Sequence, residues 1–350
     1  MFEGYKMTSN QLFGRRSSIT FLIFCIGIVS ISLPALAQQK SLSSHSIELI
    51  IPWGEGGGAD KLGRKIADLL SKTTHTQVDV VNVPGATGNI GMARLLKEAS
   101  DGQRLAIVTA ETYALLAHLN PGWKPENIIP LGIMNQQASA LFVAASSPYK
   151  TWADFEMQAR KKPGTLRVAI SGLGSPDHIT LNQFAEKGIQ LVPVPFANPE
   201  ERYASLTSNF ADALYEQPGD VRALIEKNAI RPVLIFNSAR IPQFANVPAS
   251  KEAGYGPGLW QFRAIVIKAG TDPVQIMTLS NALAQVAGTP EFKKFLEAEL
   301  SNERAFISGK EATAFLNTEL DSMKHVIEKL PMHGQYINGG KEIEDYVQPF

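Results

Sequence analysis

Ile47-Glu48-Leu49-Ile50-Ile51, then Pro52-Trp53-Gly54-Glu55-Gly56-Gly57-Gly58-Ala59-Asp60, then a stretch carrying Leu62, Ile66 and Leu69, decides how this chain reads. A short β-branched run enters a glycine-dense turn and leaves it with apolar residues at helical spacing, the pattern of a buried parallel strand feeding a helix. The plan repeats at Val78-Asp79-Val80-Val81, the loop Asn82-Val83-Pro84-Gly85-Ala86-Thr87-Gly88-Asn89-Ile90-Gly91, and a helical face of Met92, Leu95, Leu96 and Ala99. Both turns fall at strand C-termini. There an open α/β sheet binds ligands, and helix N-termini offer unpaired N–H groups with a partial positive charge. Each loop alone is either a tight strand-to-helix turn or an anion site built from main chain; two in succession favour the site.

Arg15-Arg16, the apolar stretch from Ile19 to Leu33 and Ala35-Leu36-Ala37 read as a secretory leader, cleaved after Ala37. The run is short for a membrane span of about 20 residues. The single cysteine, Cys25, lies within that leader, so the mature chain is expected to use neither disulfides nor thiol chemistry. Without the leader's Lys6, Arg15, Arg16 and Glu3, 30 basic and 32 acidic residues remain, which is no electrostatic footprint for nucleic acid.

The strand pattern continues through Leu105 to Val108, which runs into Thr109-Ala110-Glu111-Thr112, and through Leu141 to Ala145. After Ser146-Ser147-Pro148 a second α/β series begins. Its strands are expected at Leu166–Ile170, Leu191–Phe196, Ala211–Tyr215 and Pro232–Phe236, with a capped helix start at Ser175-Pro176. Ala264 to Ile267 returns the chain to the first series, which the C-terminal helices complete. The expected division is a leader over 1–37, one lobe over 38–145 plus 265–350, and a second over 146–264. Each lobe is expected to be a mostly parallel sheet flanked by helices, with a cleft between the two.

Reactive motifs are missing: no G-x-S-x-G, H-E-x-x-H or G-K-[ST] occurs, and the glycines at 85, 88 and 91 depart from the dinucleotide fingerprint. His45, His75, His118, His178, His325 and His333 lack metal-site spacing. No catalytic residue, metal or cofactor is expected. His178, following Ser175-Pro176-Asp177, reads as orienting a cleft loop or bonding a ligand. Asp60 reads as a cap or a ligand contact, and Glu55 as a solvated charge or a partner for a ligand amino group.

The assembled segments resemble the Bug/TctC-like receptors of tripartite tricarboxylate transporters. The likeness runs through Pro52-x-x-x-Gly56-Gly57-x-x-Asp60, Asn82-x-Pro84-Gly85-Ala86-x-Gly88-Asn89-Ile90-Gly91, Asp101-Gly102, Ser171 to His178, Val194-Pro195-Phe196, Asp212, Val247 to Tyr255 and Trp260. It implies a two-lobed, type II periplasmic-binding-protein-like α/β fold closing on a small organic carboxylate. Backbone donors of residues 54 to 60 and 84 to 89 would grip one carboxyl. Gly54, Glu55, Gly56, Gly57, Asp60, Gly85, Ala86, Thr87, Gly88, Asn89, Thr109, Glu111, Ser171, Gly174, His178, Phe196 and Asp212 are the candidate ligand contacts. The implied setting is the periplasm and the implied partners are membrane permease subunits; docking on a sensor kinase is the alternative. The chain departs from the family pattern at Phe196, at Ala197-Asn198-Pro199-Glu200 after it, at Phe262 and at Lys268 to Pro273, which leaves ligand identity open.

Overall fold

The computed structural model describes residues 46–301 and 306–328. The leader, Cys25, His45 and His333 lie outside the described residues. The first series is β1 (Ile47–Ile51), α1 (Gly58–Thr74), β2 (Val78–Asn82), α2 (Asn89–Lys97), β3 (Arg104–Thr109), α3 (Ala110–His118) and β4 (Ile128–Gln137). The second is β5 (Ala140–Ala144), α4 (Trp152–Lys161), β6 (Arg167–Ile170), α5 (Pro176–Glu186), β7 (Val192–Pro195), α6 (Pro199–Thr207), β8 (Ala213–Glu216), α7 (Arg222–Glu226) and β9 (Ile230–Ile235). The chain then adds β10 (Gln261–Lys268), α8 (Pro273–Gly288), α9 (Pro290–Ala298) and α10 (Gly309–Glu328).

Two five-stranded sheets result, in the orders β2-β1-β3-β10-β4 and β7-β6-β8-β5-β9. The orders correspond strand for strand. In each sheet four strands share a direction, and the fifth, β10 or β5, is antiparallel to both neighbours. That antiparallel strand is the one that arrives from the other lobe.

Successive strand residues alternate between cores on opposite sheet faces, as the two-residue repeat requires. Leu49, Ile51, Leu105, Ile107, Ile265 and Ile267 pack with α1, α8 and α9, whereas Ile50, Ala106, Val108, Ala264 and Val266 pack with Met92, Tyr113, Leu316 and Met323. The second sheet divides in the same way, with Val168 and Ile170 on one face and Ala169 and Leu214 on the other. Both faces being covered explains why the strands read as unbroken apolar runs. The cap expected at Ser175 is in place, and Thr151, Asp272 and Thr289 act likewise: each accepts a backbone N–H from the first turn of the following helix.

Two expectations need correction. Leu141 to Ala145 belongs to the second sheet, because β5 pairs with β8 and β9, so the chain crosses between lobes at Ala138-Ser139 and not after Ala145. The crossing is extended chain with no turn residue to mark it, whereas Ser146-Ser147-Pro148 is a surface turn inside the second lobe. Strand β4 was not expected at all. It contains Pro130 and Gly132, which suit few strand interiors, but β4 is an edge strand, where a missing N–H is tolerated.

Phe262 is 1% exposed and packs edge-on against Tyr113 and Phe315, at centroid distances of 6.0 and 5.4 Å. Phe262→Ala is expected to lower unfolding stability by about 3–5 kcal/mol through lost transfer energy and a residual cavity. A denaturant midpoint unmoved by the substitution would show that this cluster does not support the first lobe.

Candidate functional site

The first turns of α1, α3 and α6 meet between the two sheets around a small cleft of about 30 Å³. Trp53, Gly57, Gly58, Ala59, Thr109, Glu111 and Arg263 line it from the first lobe; Ser171, Pro199, Arg202, Glu216, Gln217 and Asp220 line it from the second. A volume of that size holds about two water molecules.

Charge dominates the lining. Arg202 donates to Glu216 Oε2 from Nη2 at 2.6 Å and from Nε at 3.1 Å, and its Nη1 donates to the Phe196 carbonyl at 3.0 Å. Arg263 Nη2 donates across the lobes to Asp220 Oδ2 at 2.5 Å and to Gln217 Oε1 at 3.2 Å. Lys61 of α1 donates to the Asp220 carbonyl at 2.7 Å. Arg202, Glu216, Asp220 and Arg263 are each 7% exposed or less. Burial disfavours the arginine charges, but Glu216 beside Arg202 and Asp220 beside Arg263 outweigh it and hold both guanidinium groups above their usual range. Carboxyl groups nearby are pushed up as well, which for an acid means toward the neutral form. Burial pushes Glu111 up, against the Thr109 hydroxyl and the Arg263 charge. Burial and then the Glu111 charge push Asp177 up to about 7. Burial and then Asp220 push Glu299, in the first lobe, up to about 7.

Glycine in the first loop serves close approach between lobes. A Cβ at Gly58 would stand 2.1 Å from both Asp220 carboxylate oxygens, and one at Gly57 would stand 2.6 Å from Pro199 Cγ. Gly54 likewise faces Pro199 and Asn198. Of the residues expected to contact a ligand, Gly57, Thr109, Glu111 and Ser171 line the cleft. The others are placed elsewhere. Asp60 accepts from Gly56 N, Arg64 Nε and Asn82 Nδ2, each at 3.0 Å, and so fastens the first loop to its own lobe. Those bonds hold its carboxyl below the usual range even though burial acts in the opposite sense. Glu55 is exposed and faces Arg64. His178 Nδ1 accepts the Gly174 N–H at 3.1 Å, and burial pushes the ring down to about 4, so a neutral imidazole orients the loop. Phe196 packs against Phe210, and Asp212 pairs with Arg167.

The second glycine loop does not line the cleft. Gly85, Ala86, Thr87 and Gly88 all have positive φ, and Thr87 Oγ1 donates to the Leu173 carbonyl of the other lobe at 3.0 Å. Asn89 is buried and accepts from Trp123 Nε1 at 2.8 Å. The expected convergence of both loops is thus replaced by one loop at the cleft and one at a direct lobe-to-lobe contact. The sequence reading missed Trp53, Pro199, Arg202, Glu216, Gln217, Asp220 and Arg263. One signal was available: Arg263 and Glu216 are charges that adjoin buried apolar strand residues, Phe262 and Ala264 in β10 and Tyr215 in β8.

Two matching α/β lobes, each holding one antiparallel strand that arrives from the other, thus border a charged cleft. The chain belongs to the tripartite tricarboxylate transporter family receptor group, whose family model matches residues 62–332. A UPF0065 protein in the gbd 5' region of Cupriavidus necator is 27% identical over 317 residues, covering 90% of this chain and 96% of that protein. The periplasmic binding protein BugD superposes with a TM-score of 0.76 at 18% identity, covering 82% of this chain and 98% of that one. MatC of Rhodopseudomonas palustris, solved with bound malate, superposes with a TM-score of 0.74 at 19% identity, covering 82% of this chain and 100% of that one. Among the described residues no helix is long and apolar enough to cross a membrane.

Gly57 has φ −78° and ψ 173°, a conformation open to any side chain, so Gly57→Val leaves each lobe intact and obstructs only the approach of Pro199. The variant is expected to keep its circular dichroism spectrum and to show a larger radius of gyration in small-angle X-ray scattering. An unchanged radius would mean that the lobes do not close at this point. Asp177 retains its proton in the folded state up to about 7 but loses it near 3.8 when unfolded, so its contribution to stability falls as pH rises through that window. The thermal midpoint is expected to drop between about pH 4 and 7. Asp177→Asn, which keeps an acceptor for Ser171 N and Oγ, should flatten that slope; an equally steep slope in the variant would assign it to other groups.

Proposed function

We propose that this chain captures a small organic carboxylate between its two lobes in the periplasm and delivers it to the permease subunits of a tripartite tricarboxylate-type transporter. Family membership supports the receptor role, and the malate bound by MatC is an instance of carboxylate capture on the same fold.

The single observation that carries the reading is the seat of Asp220. A carboxylate from one lobe already rests on the α1 start of the other, against Gly58 and within bonding distance of Arg263. Helix N-termini carry about half a positive charge, and a guanidinium offers a carboxylate paired donors, so the seat suits a ligand carboxylate for the same reasons. Trp53 and Thr109, joined by a 3.2 Å hydrogen bond, form the adjoining wall. Opening the lobes withdraws Asp220 and exposes the seat; closing over a guest adds contacts from the second lobe, which gives the closed state its differential affinity.

Isothermal titration calorimetry against mono-, di- and tricarboxylates, aromatic acids and acidic amino acids is expected to give heat with at least one class. The double variant Arg263→Gln with Asp220→Asn removes both charges of the cross-lobe pair without stranding either, and should weaken that binding by at least about tenfold. No heat from any carboxylate would overturn the receptor reading, and unchanged affinity in the double variant would place the carboxylate elsewhere.

A further inference from the structure

A short loop of the second lobe, between β6 and α5, rests directly on the first lobe. Thr87 Oγ1 donates to the Leu173 carbonyl, and a Cβ at Gly172 would stand 2.4 Å from that hydroxyl oxygen. A Cβ at Gly174 would stand 2.7 Å from His118 Nε2 and 3.2 Å from Leu115 Cδ2, both on α3 of the first lobe. His178, in the first turn of α5, accepts the Gly174 N–H at Nδ1. Two imidazoles, one from each lobe, thus converge on one glycine.

Neither ring has an anion to pair with. Nε2 of His118 and Nε2 of His178 are both buried without a hydrogen-bond partner. The Asp177 carboxyl, next to His178 in sequence, is turned to Ser171 N and Oγ. Helix α10 packs on both α3 and α5, yet among the described residues it brings no charged group to bear on either imidazole. Burial pushes His118 down to about 4, against the Ala114 carbonyl, and pushes His178 down to about 4 with the His118 ring adding to it. A desolvated imidazole with no anionic partner is stable only in its neutral form.

We infer that His118 and His178 make this lobe contact a proton-sensitive latch: it holds while both imidazoles are neutral, and protonation of either ring favours parted lobes, where water solvates the imidazolium. The sign follows from linkage. A ring held low in the contact and near 6.5 when hydrated binds its proton preferentially in the parted state, so the contact is at full strength above about pH 7 and weakens as pH falls through 6.5. For each ring the effect on the parted-to-closed ratio at about pH 5 is at most roughly thirtyfold. The latch sits at the end of α3 opposite Glu111, so the inference does not depend on what the cleft binds.

The test is small-angle X-ray scattering of the purified protein without added ligand at about pH 7.5 and about pH 5, on either side of the ordinary imidazole range, with wild type beside the double variant His118→Gln with His178→Asn. Both replacements stay uncharged, and the asparagine keeps an acceptor for the Gly174 N–H. The two proteins should share one radius of gyration at the higher pH, and at the lower pH the wild type should be the larger. Comparing them at the same pH cancels the titration of the cleft carboxyls, which both retain. His118→Gln alone, which disturbs no hydrogen bond within the second lobe, should fall between them, and circular dichroism at each pH checks that the lobes stay folded. Equal radii at both pH values, or a double variant at least as large as wild type at the lower one, would overturn the latch and leave the carboxylate-receptor reading standing.

Discussion

One carboxylate organises the meeting of the lobes. Asp220 leaves the second lobe and is received by Arg263, by Lys61 through its carbonyl, and by the start of α1, where Gly58 leaves no side chain in the way. Buried ion pairs add little net stability, since desolvation offsets much of the attraction, yet removing one partner alone costs several kcal/mol. Such a contact therefore specifies geometry more than it strengthens the fold. It fixes where the lobes touch and ensures that any arrangement leaving Asp220 buried without Arg263 is penalised. Arg202 and Glu216 repeat the device within the second lobe, so the two guanidinium groups reach the cleft from opposite sides with their orientations set.

The glycine loops acquire a different meaning around that contact. In the first loop the small residues permit Pro199 and Asp220 to come within van der Waals range of main chain. In the second, four consecutive residues with positive φ, two of them not glycine, hold Thr87 against the backbone of residue 173. Backbone held in so sparsely populated a region costs of order 1–3 kcal/mol per residue and persists only where surroundings enforce it. Here the enforcing surroundings include the other lobe, since a Cβ at Gly172 would meet the Thr87 side chain at 2.4 Å. The two loops are thus both interlobe elements, one bordering the cleft and one bearing on the opposite lobe directly.

Much of the fold was legible in the sequence because it depends on local patterns. Apolar runs marked nine of the ten strands among the described residues, and Ser175-Pro176 marked a helix start by short-range capping chemistry. The missing strand, β4, contains Pro130 and Gly132, whose tolerance depends on edge position, a property of the sheet and not of the segment. The crossing at Ala138-Ser139 escaped for the same reason: an extended chain does not announce which sheet it will join. The cleft lining was legible only in part. Gly57, Thr109, Glu111 and Ser171 fall at strand ends, where the sequence placed candidates, whereas Arg202, Glu216, Asp220 and Arg263 come from segments without a motif and meet through tertiary structure. The near-neutral composition concealed this concentration of charge.

The cleft, about 30 Å³, has room for about two waters, so on the reading proposed above the lobes would part before an organic acid enters. Parting would break the Arg263–Asp220 pair and separate Thr87 from Leu173, and among the described residues the chain links the lobes through Ala138-Ser139 and the segment from Phe236 to Gln261. Polar side chains gather where those links meet the first sheet: Gln137 pairs in register with Gln261, whose buried amide atoms have no partner, while Ser139 holds Gln217 at 3.2 Å. On the reading proposed above, a guest carboxylate on the Arg263 seat would compensate the guanidinium as Asp220 does. The charge that closure requires would then come from the ligand, with the protein's own carboxylate as its competitor.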